Sequence, residues 1–121
     1  MEKDENTLIL IPKCEDYMGY MLDIILKLPR IEKFNTGNEY KNSMYRLLSG
    51  ILYINKSNIQ SKIEHLNEID VELEYQRILL RVMKKYGLID VKKFNVSITK
   101  ISEMGKITGG LLKFYAKNIK K

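Results

Sequence analysis

The sequence predicts an all-α protein, a four-helix bundle with up-down-up-down order. Three observations predict it. Apolar residues recur at spacings of three and four in four separate stretches, and no stretch sustains the strict alternation of a half-buried strand. With 2 Pro and 7 Gly in 121 residues, the breaks are few and the segments between them long. Charged residues make up 30% and hydrophobic residues 45%, the balance of a globular chain. The length suits a single domain over residues 1–121. Four long helices with short connections pack most simply as antiparallel neighbours.

Residues 1–11 read as a loosely ordered lead-in. The first helix is predicted from Pro12 to Leu28, because proline is tolerated at a first helical position. Tyr17, Met21, Ile24, Ile25 and Leu28 make its apolar stripe, and Pro29 ends it. A loop over Arg30–Gly37 follows. The second helix is expected from Asn38 to Ser61, with Tyr40, Met44, Leu47, Leu48, Ile51, Leu52, Ile54 and Ile59 on one stripe. The third is expected from Asn67 to Tyr86, with Asn67 or Asp70 at its start and Ile69, Leu73, Leu80 and Met83 facing inward. Gly87 suits the left-handed residue that closes a helix. The fourth begins after Asp90, a good N-cap, and runs to about Asn118.

Several function classes drop out at this stage. One Cys (Cys14) and one His (His65) make neither a disulfide framework nor a Cys/His metal cluster. A lone thiol suits a reducing compartment, so the cytoplasm is expected. The longest apolar run, Leu8 to Ile11, is too short to cross a membrane. The acidic start, Glu2, Asp4 and Glu5, is unlike a signal peptide.

Charge is the most informative feature. The net charge is +6, yet residues 1–60 hold 8 basic and 8 acidic side chains. From Arg77 onward there are 12 basic and 2 acidic residues, a local net of +10. Such asymmetry points to a polyanion, nucleic acid first. On the third helix Arg77, Arg81, Lys84 and Lys85 form one basic stripe. Glu74 offers intrahelical pairing to the first two, a weak interaction. On the fourth helix Phe94, Ile98, Ile101, Gly105, Thr108, Leu112, Tyr115 and Ile119 form a heptad seam. Lys92, Lys106, Lys113, Lys117 and Lys120 fall on its opposite side. That ridge has no interleaved aromatics, so contact with nucleic acid is expected to be electrostatic and not base-reading.

The seam also carries small residues, Gly105, Thr108, Gly109 and Gly110, close to Leu112. Each interior glycine costs about 1 kcal/mol against alanine. Either close helix approach, inside the bundle or between subunits, or a local kink accounts for them. Catalytic readings are weak. Asp70 with Glu74, and Glu68 with Glu72, share helical faces suited to acid–base work or a divalent metal, but an acidic first turn favoured by the helix dipole explains them as well. A Cys14–His65 dyad has no local support, and His65 reads as a loop or helix-end residue. The Gly105–Gly110 run follows no strand, so it is not a phosphate-cradling loop. No catalytic residue, metal ligand or cofactor is predicted.

Two stretches carry a resemblance. One is Leu28-Pro29-Arg30-Ile31-Glu32-Lys33-Phe34 with Gly37; the other runs from Ile101 through Ser102-Glu103-Met104-Gly105-Lys106-Ile107-Thr108-Gly109-Gly110 to Lys113. Between them lie Asp70, Leu73 and Leu79-Leu80-Arg81. In order and spacing the chain resembles the accessory variability determinant proteins of diversity-generating retroelements. It is also similar to the wider four-helix-bundle family of proteins encoded in intervening sequences of 23S ribosomal RNA genes. The resemblance implies a non-catalytic protein that assembles as a ring-like homopentamer with a basic surface. Its implied partners are a reverse transcriptase, its template RNA and the cDNA made from it, bound with little sequence preference. Arg30, Asp70, Arg81, Glu103, Lys106 and Lys113 match the family's positions, whereas Leu111 or Leu112 stands where relatives often carry Trp. The alternative is an oligomeric scaffold of the intervening-sequence type, with a protein partner or unspecific RNA binding. The nucleic-acid-binding set is thus expected to be Arg30, Arg77, Arg81, Lys84, Lys85, Lys106, Lys113 and Lys117. Gly105, Thr108, Gly109 and Leu112 are expected to serve helix or subunit packing.

Overall fold

The computed structural model describes the backbone of residues 2–119 and the side chains of residues 9–118. Its helices are α1 (Glu2–Leu26), α2 (Arg30–Phe34), α3 (Thr36–Ile54), α4 (Ile59–Lys85) and α5 (Val91–Ile119). Among the described residues there is no strand. The four long helices pack in a ring in which α1 meets α3, α3 meets α4, α4 meets α5, and α5 closes onto α1. This is the predicted four-helix bundle, with α2 a single short helix between α1 and α3.

The helix boundaries differ from the sequence expectation in four places, each with a physical reason. Residues 2–11 are helical and not a loose lead-in, so Pro12 lies inside α1 and not at its start. An interior proline removes a backbone hydrogen bond. The turns on either side of Pro12 are held by Leu10 and Cys14, both fully buried. Arg30–Phe34 is helical where a loop was expected. α3 then starts at Thr36, because Asn35 and Asn38 side chains cap the Ile31 and Phe34 carbonyls at 2.8 and 3.0 Å. Gly37 sits where a Cβ would lie 2.9 Å from Ile25 Cγ2, so only glycine allows α3 this close to α1.

The second helix ends at Ile54, and α4 begins at Ile59, well before Asn67. Asn58 is the cap: its Oδ1 accepts the Ser61 N–H at 2.9 Å. The buried Lys62 ammonium donates to the Ile54 carbonyl, which closes α3 from the neighbouring helix. His65 accordingly lies within α4, stacked on Tyr53 at 5.6 Å between ring centroids. The other two signals hold as expected. Gly87 has φ +74°, and Asp90 Oδ1 accepts the Lys93 N–H at 2.8 Å.

The core stripe of α4 is Lys62, Leu66, Ile69, Leu73, Gln76, Leu80 and Met83, an unbroken alternation of fours and threes. On α5 the most buried positions are Ser97, Ile101, Met104, Thr108, Leu111 and Tyr115. Ile101, Thr108 and Tyr115 belong to the predicted seam, whereas Ser97, Met104 and Leu111 stand one residue, about 100°, round the helix from its Ile98, Gly105 and Leu112. Leu52, expected on the inner stripe of the second helix, faces solvent.

A polar relay threads the apolar core. Tyr40 O–H donates to the Tyr17 hydroxyl, and Tyr17 donates to Gln76 Oε1 at 2.6 Å. Gln76 Nε2 donates to Ser43 Oγ at 2.8 Å, and Ser43 donates to Glu72 Oε1 at 2.6 Å. Arg46 Nε ends the relay on Glu72 Oε2 at 2.7 Å. From Tyr40 to Glu72 every link runs donor to acceptor in one direction, and the carboxylate accepts from both Ser43 and Arg46, so no hydroxyl is asked to give its proton twice. The relay ties α1, α3 and α4 together.

Two predictions follow from this core. Gln76→Leu leaves the Tyr17 hydroxyl without its acceptor and Ser43 without its donor, so urea unfolding should show a loss of about 3 kcal/mol. Arg46→Ala, at the exposed end, should cost less than about 1 kcal/mol. Equal effects would show that the relay does not hold the helices. The second prediction concerns pH. Burial pushes the Cys14 thiol up to about 11, and burial likewise raises the Tyr17 and Tyr40 phenols above their ordinary range. The unfolded chain therefore releases these protons first as pH rises. Stability should be level up to about pH 8.5, where the unfolded thiol begins to ionise, and should fall steadily towards pH 11. Urea midpoints across that range check it.

Candidate nucleic-acid interface

The basic residues meet on the surface shared by α4 and α5. From the C-terminal half of α4, Arg77, Arg81 and Lys84 turn towards α5. Arg77 is the best anchored. Its Nη1 donates to Glu74 Oε1 at 3.0 Å, and its Nη2 lies 3.1 Å from where a Cβ on Gly105 would stand. Gly105 thus makes a seat for the Arg77 guanidinium, only a quarter exposed, between the two helices. Arg81 is looser and half exposed, with Nη2 4.0 Å from Glu74 Oε2. The weak intrahelical pairing foreseen for Glu74 exists and engages both arginines. Lys84 and Lys85 are exposed, and among the described residues they make no ion pair.

On α5, Lys92, Lys106, Lys113 and Lys117 are exposed on the side away from the core, as expected. Lys120 lies outside the described residues. Lys100 is set apart by its ion pair with Asp16 on α1 at 2.6 Å. Arg30 is exposed on α2, at the end of the bundle where α4 finishes and α5 begins. The structure therefore brings Arg81, Lys84 and Lys85 together beside Phe94 and seats Arg77 on Gly105, whereas Lys106 and Lys113 are exposed further along α5 and Arg30 stands apart on α2, packed against α3.

Phe94 is the residue whose place was not foreseen. It belongs to the expected seam of α5, but it is half-buried beside the end of α4, with the Lys84 ammonium 4.5 Å above its ring centroid. Sequence spacing within one helix cannot show a contact made between two. The small residues divide. Thr108 is buried and donates to the Met104 carbonyl at 2.9 Å, and Leu112 packs against the core. Gly109 and Gly110 have nothing within 4 Å of a built Cβ, so close approach inside the bundle does not account for them.

A family model described as bAvd-like matches residues 8–115. The chain belongs to the bAvd-like family. The match spans both motif stretches and all four long helices of the bundle, which bears out the resemblance to accessory variability determinant proteins. No curated protein and no solved structure matches this bAvd-like chain.

Three of the four carboxylates considered for catalysis have partners in this bAvd-like bundle, and the fourth, Asp70, is exposed on α4. Glu72 holds Ser43 and Arg46, Glu74 holds Arg77 and Arg81, and Glu68 lies 3.4 Å from His65 Nδ1. Among the described residues no group of three or more His, Cys, Asp or Glu side chains is placed to hold a metal. Cys14 is buried in α1, and its raised pKa keeps the thiol protonated near neutral pH, the opposite of an activated nucleophile.

The open space at Gly110 makes a direct prediction. Gly110→Ala should stabilise the isolated bundle by about 1 kcal/mol through helix propensity alone. Gly105→Ala should gain less, because the added methyl displaces Arg77. Thermal or urea unfolding of the two variants, compared at equal concentration, checks the order.

Proposed function

We propose that this protein is a non-catalytic, self-associating nucleic-acid-binding accessory of a retroelement reverse transcriptase, present in the cytoplasm. In this reading it holds template RNA and nascent cDNA near the polymerase during mutagenic cDNA synthesis. The observation that carries the reading is the cationic face of α4 and α5, on a chain of the bAvd-like family. Its cations outnumber the local carboxylates, with Glu74 already engaged twice. A fixed row of cations opposite a phosphate backbone releases condensed counterions on binding and needs no particular base sequence.

Self-association fits the remaining surface. Val71 and Ile78, one heptad apart on the outer face of α4, are 67% and 45% exposed. A ring of five copies would repeat the basic face and let several weak contacts act together. Gly109 and Gly110, open in the single chain, would then admit a neighbouring helix.

Native mass spectrometry and RNA-binding anisotropy on one preparation test the proposal. The wild type should form a stable oligomer, with five copies the expected number. Its RNA affinity should fall steeply with salt. Arg81→Glu/Lys113→Glu should keep the oligomer mass, lose at least about tenfold in affinity, and show a shallower salt dependence, since each lost phosphate contact removes about 0.7 from the single-strand slope. An unchanged affinity and slope in that variant would refute the basic face as the binding surface. An oligomer that ignores RNA at low salt would instead favour the protein-only scaffold.

A further inference from the structure

We infer that the corner formed by Arg81, Lys84, Lys85 and Phe94, with Tyr86 beside it, is a subsite for unpaired nucleotides. There an exposed base stacks on an aromatic ring while its phosphates lie on the lysines and Arg81. The inference rests on the nucleic-acid reading above and adds what kind of strand the face prefers.

The geometry starts from two helix ends. α4 finishes at Lys85 and α5 begins at Val91, so the short turn between them sets the last cations of one helix beside the first aromatic of the next. Arg81, Lys84, Lys85 and Phe94 line one open hollow. Lys84 Nζ stands 4.5 Å from the Phe94 centroid, so the ammonium covers one face of that ring at the wall of the hollow. Tyr86, 71% exposed, has the Lys85 ammonium 5.8 Å from its own centroid. Two aromatic rings thus stand beside lysine ammoniums, Phe94 in the wall of the hollow and Tyr86 next to it along the chain from Lys85.

A cation over a ring at an exposed site is a weak contact, and base–aromatic stacking is stronger. A base arriving on Phe94 can therefore displace Lys84, which needs only a small swing to meet the accompanying phosphate. Arg81, loosely held by Glu74, supplies a second phosphate contact. A duplex offers phosphates to these cations but keeps its bases stacked inside, out of reach of the ring. The rings consequently add affinity for single strands alone, while the cations serve both. An acidic peptide would satisfy the lysines but would gain nothing from the ring faces.

The test uses the full-length protein and a mixed-sequence 20-nucleotide single strand, free or annealed to its complement, followed by fluorescence anisotropy. Phe94→Leu/Tyr86→Ser should lose about tenfold in single-strand affinity, keep the salt slope, and leave duplex binding unchanged. Lys84→Ala/Lys85→Ala should weaken both strands and lower both slopes. Tyr86→Ser alone, a change at an exposed position, keeps the test open should the Phe94 variant unfold; it should lose a few-fold on single strands only. Photo-crosslinking of a 5-bromouracil-substituted strand to the wild type should map to Phe94 or Tyr86. Unchanged single-strand affinity in the aromatic variants, or crosslinks confined to other segments, would overturn the subsite and leave the basic face standing. No binding of either strand at low salt would remove the nucleic-acid reading and the subsite together.

Discussion

Gln76 is the constraint on which the rest of the bundle depends. It occupies a core position of α4 between Leu73 and Leu80, fully buried. Apolar heptads alone tolerate a slip by one turn, about 5.4 Å, because another ridge meets another groove. A buried amide does not tolerate it. Its oxygen needs the Tyr17 hydroxyl on α1 and its nitrogen needs Ser43 on α3, so only one register satisfies both. Lys62 acts in the same way in the first turn of α4, closing the last turn of α3. Polar groups in this core fix which arrangement forms, and apolar burial stabilises it.

α5 lies outside that relay. It is held by its own buried stripe, by the Lys100–Asp16 ion pair, by Ser97 Oγ against the Met21 sulfur at 3.3 Å, and by Arg77 seated on Gly105. Arg77 consequently joins the packing of the bundle to the proposed interface. It is a member of the basic stripe, but its guanidinium is also a peg between the helices that present the other cations. An arginine does this better than a lysine, since its flat head lies against a glycine backbone while its nitrogens reach Glu74.

The bundle class, the inner stripe of α1, the Gly87 stop and the Asp90 cap were legible in the sequence because each depends on residues close together in the chain. The expected helix from Asn38 to Ser61 failed at Ile54 because the break is made by Asn58 and by a lysine on the next helix. Lys62 could be suspected only by noticing that it falls in register with Leu66 and Ile69. Gln76 left the same trace, a gap in an otherwise apolar heptad. At the candidate site, the basic stripes could be read by residue type and spacing. The partnership of Lys84 with Phe94 could not, because it forms across the α4–α5 turn, and neither helix shows it alone.

Local electrostatics separates the cations that the fold itself favours from those it does not. Lys84 and Lys85 stand in the last turn of α4, where the helix dipole stabilises positive charge. Their presence alone therefore says little about a partner. Lys92 and Lys93 stand in the first turn of α5, which holds no acidic residue and where the dipole disfavours cations. The two unfavourable lysines follow the two favourable ones across a five-residue turn, with Lys93 turned to the α1 side in a hollow shared with Asp23, and Asp90 occupied as the cap. Under the proposed function, an external anion at this corner would offset the repulsion among Lys84, Lys85 and Lys92. The same corner presents Phe94 and Tyr86, so an anion that also carries an unpaired aromatic base fits it better than a bare phosphate.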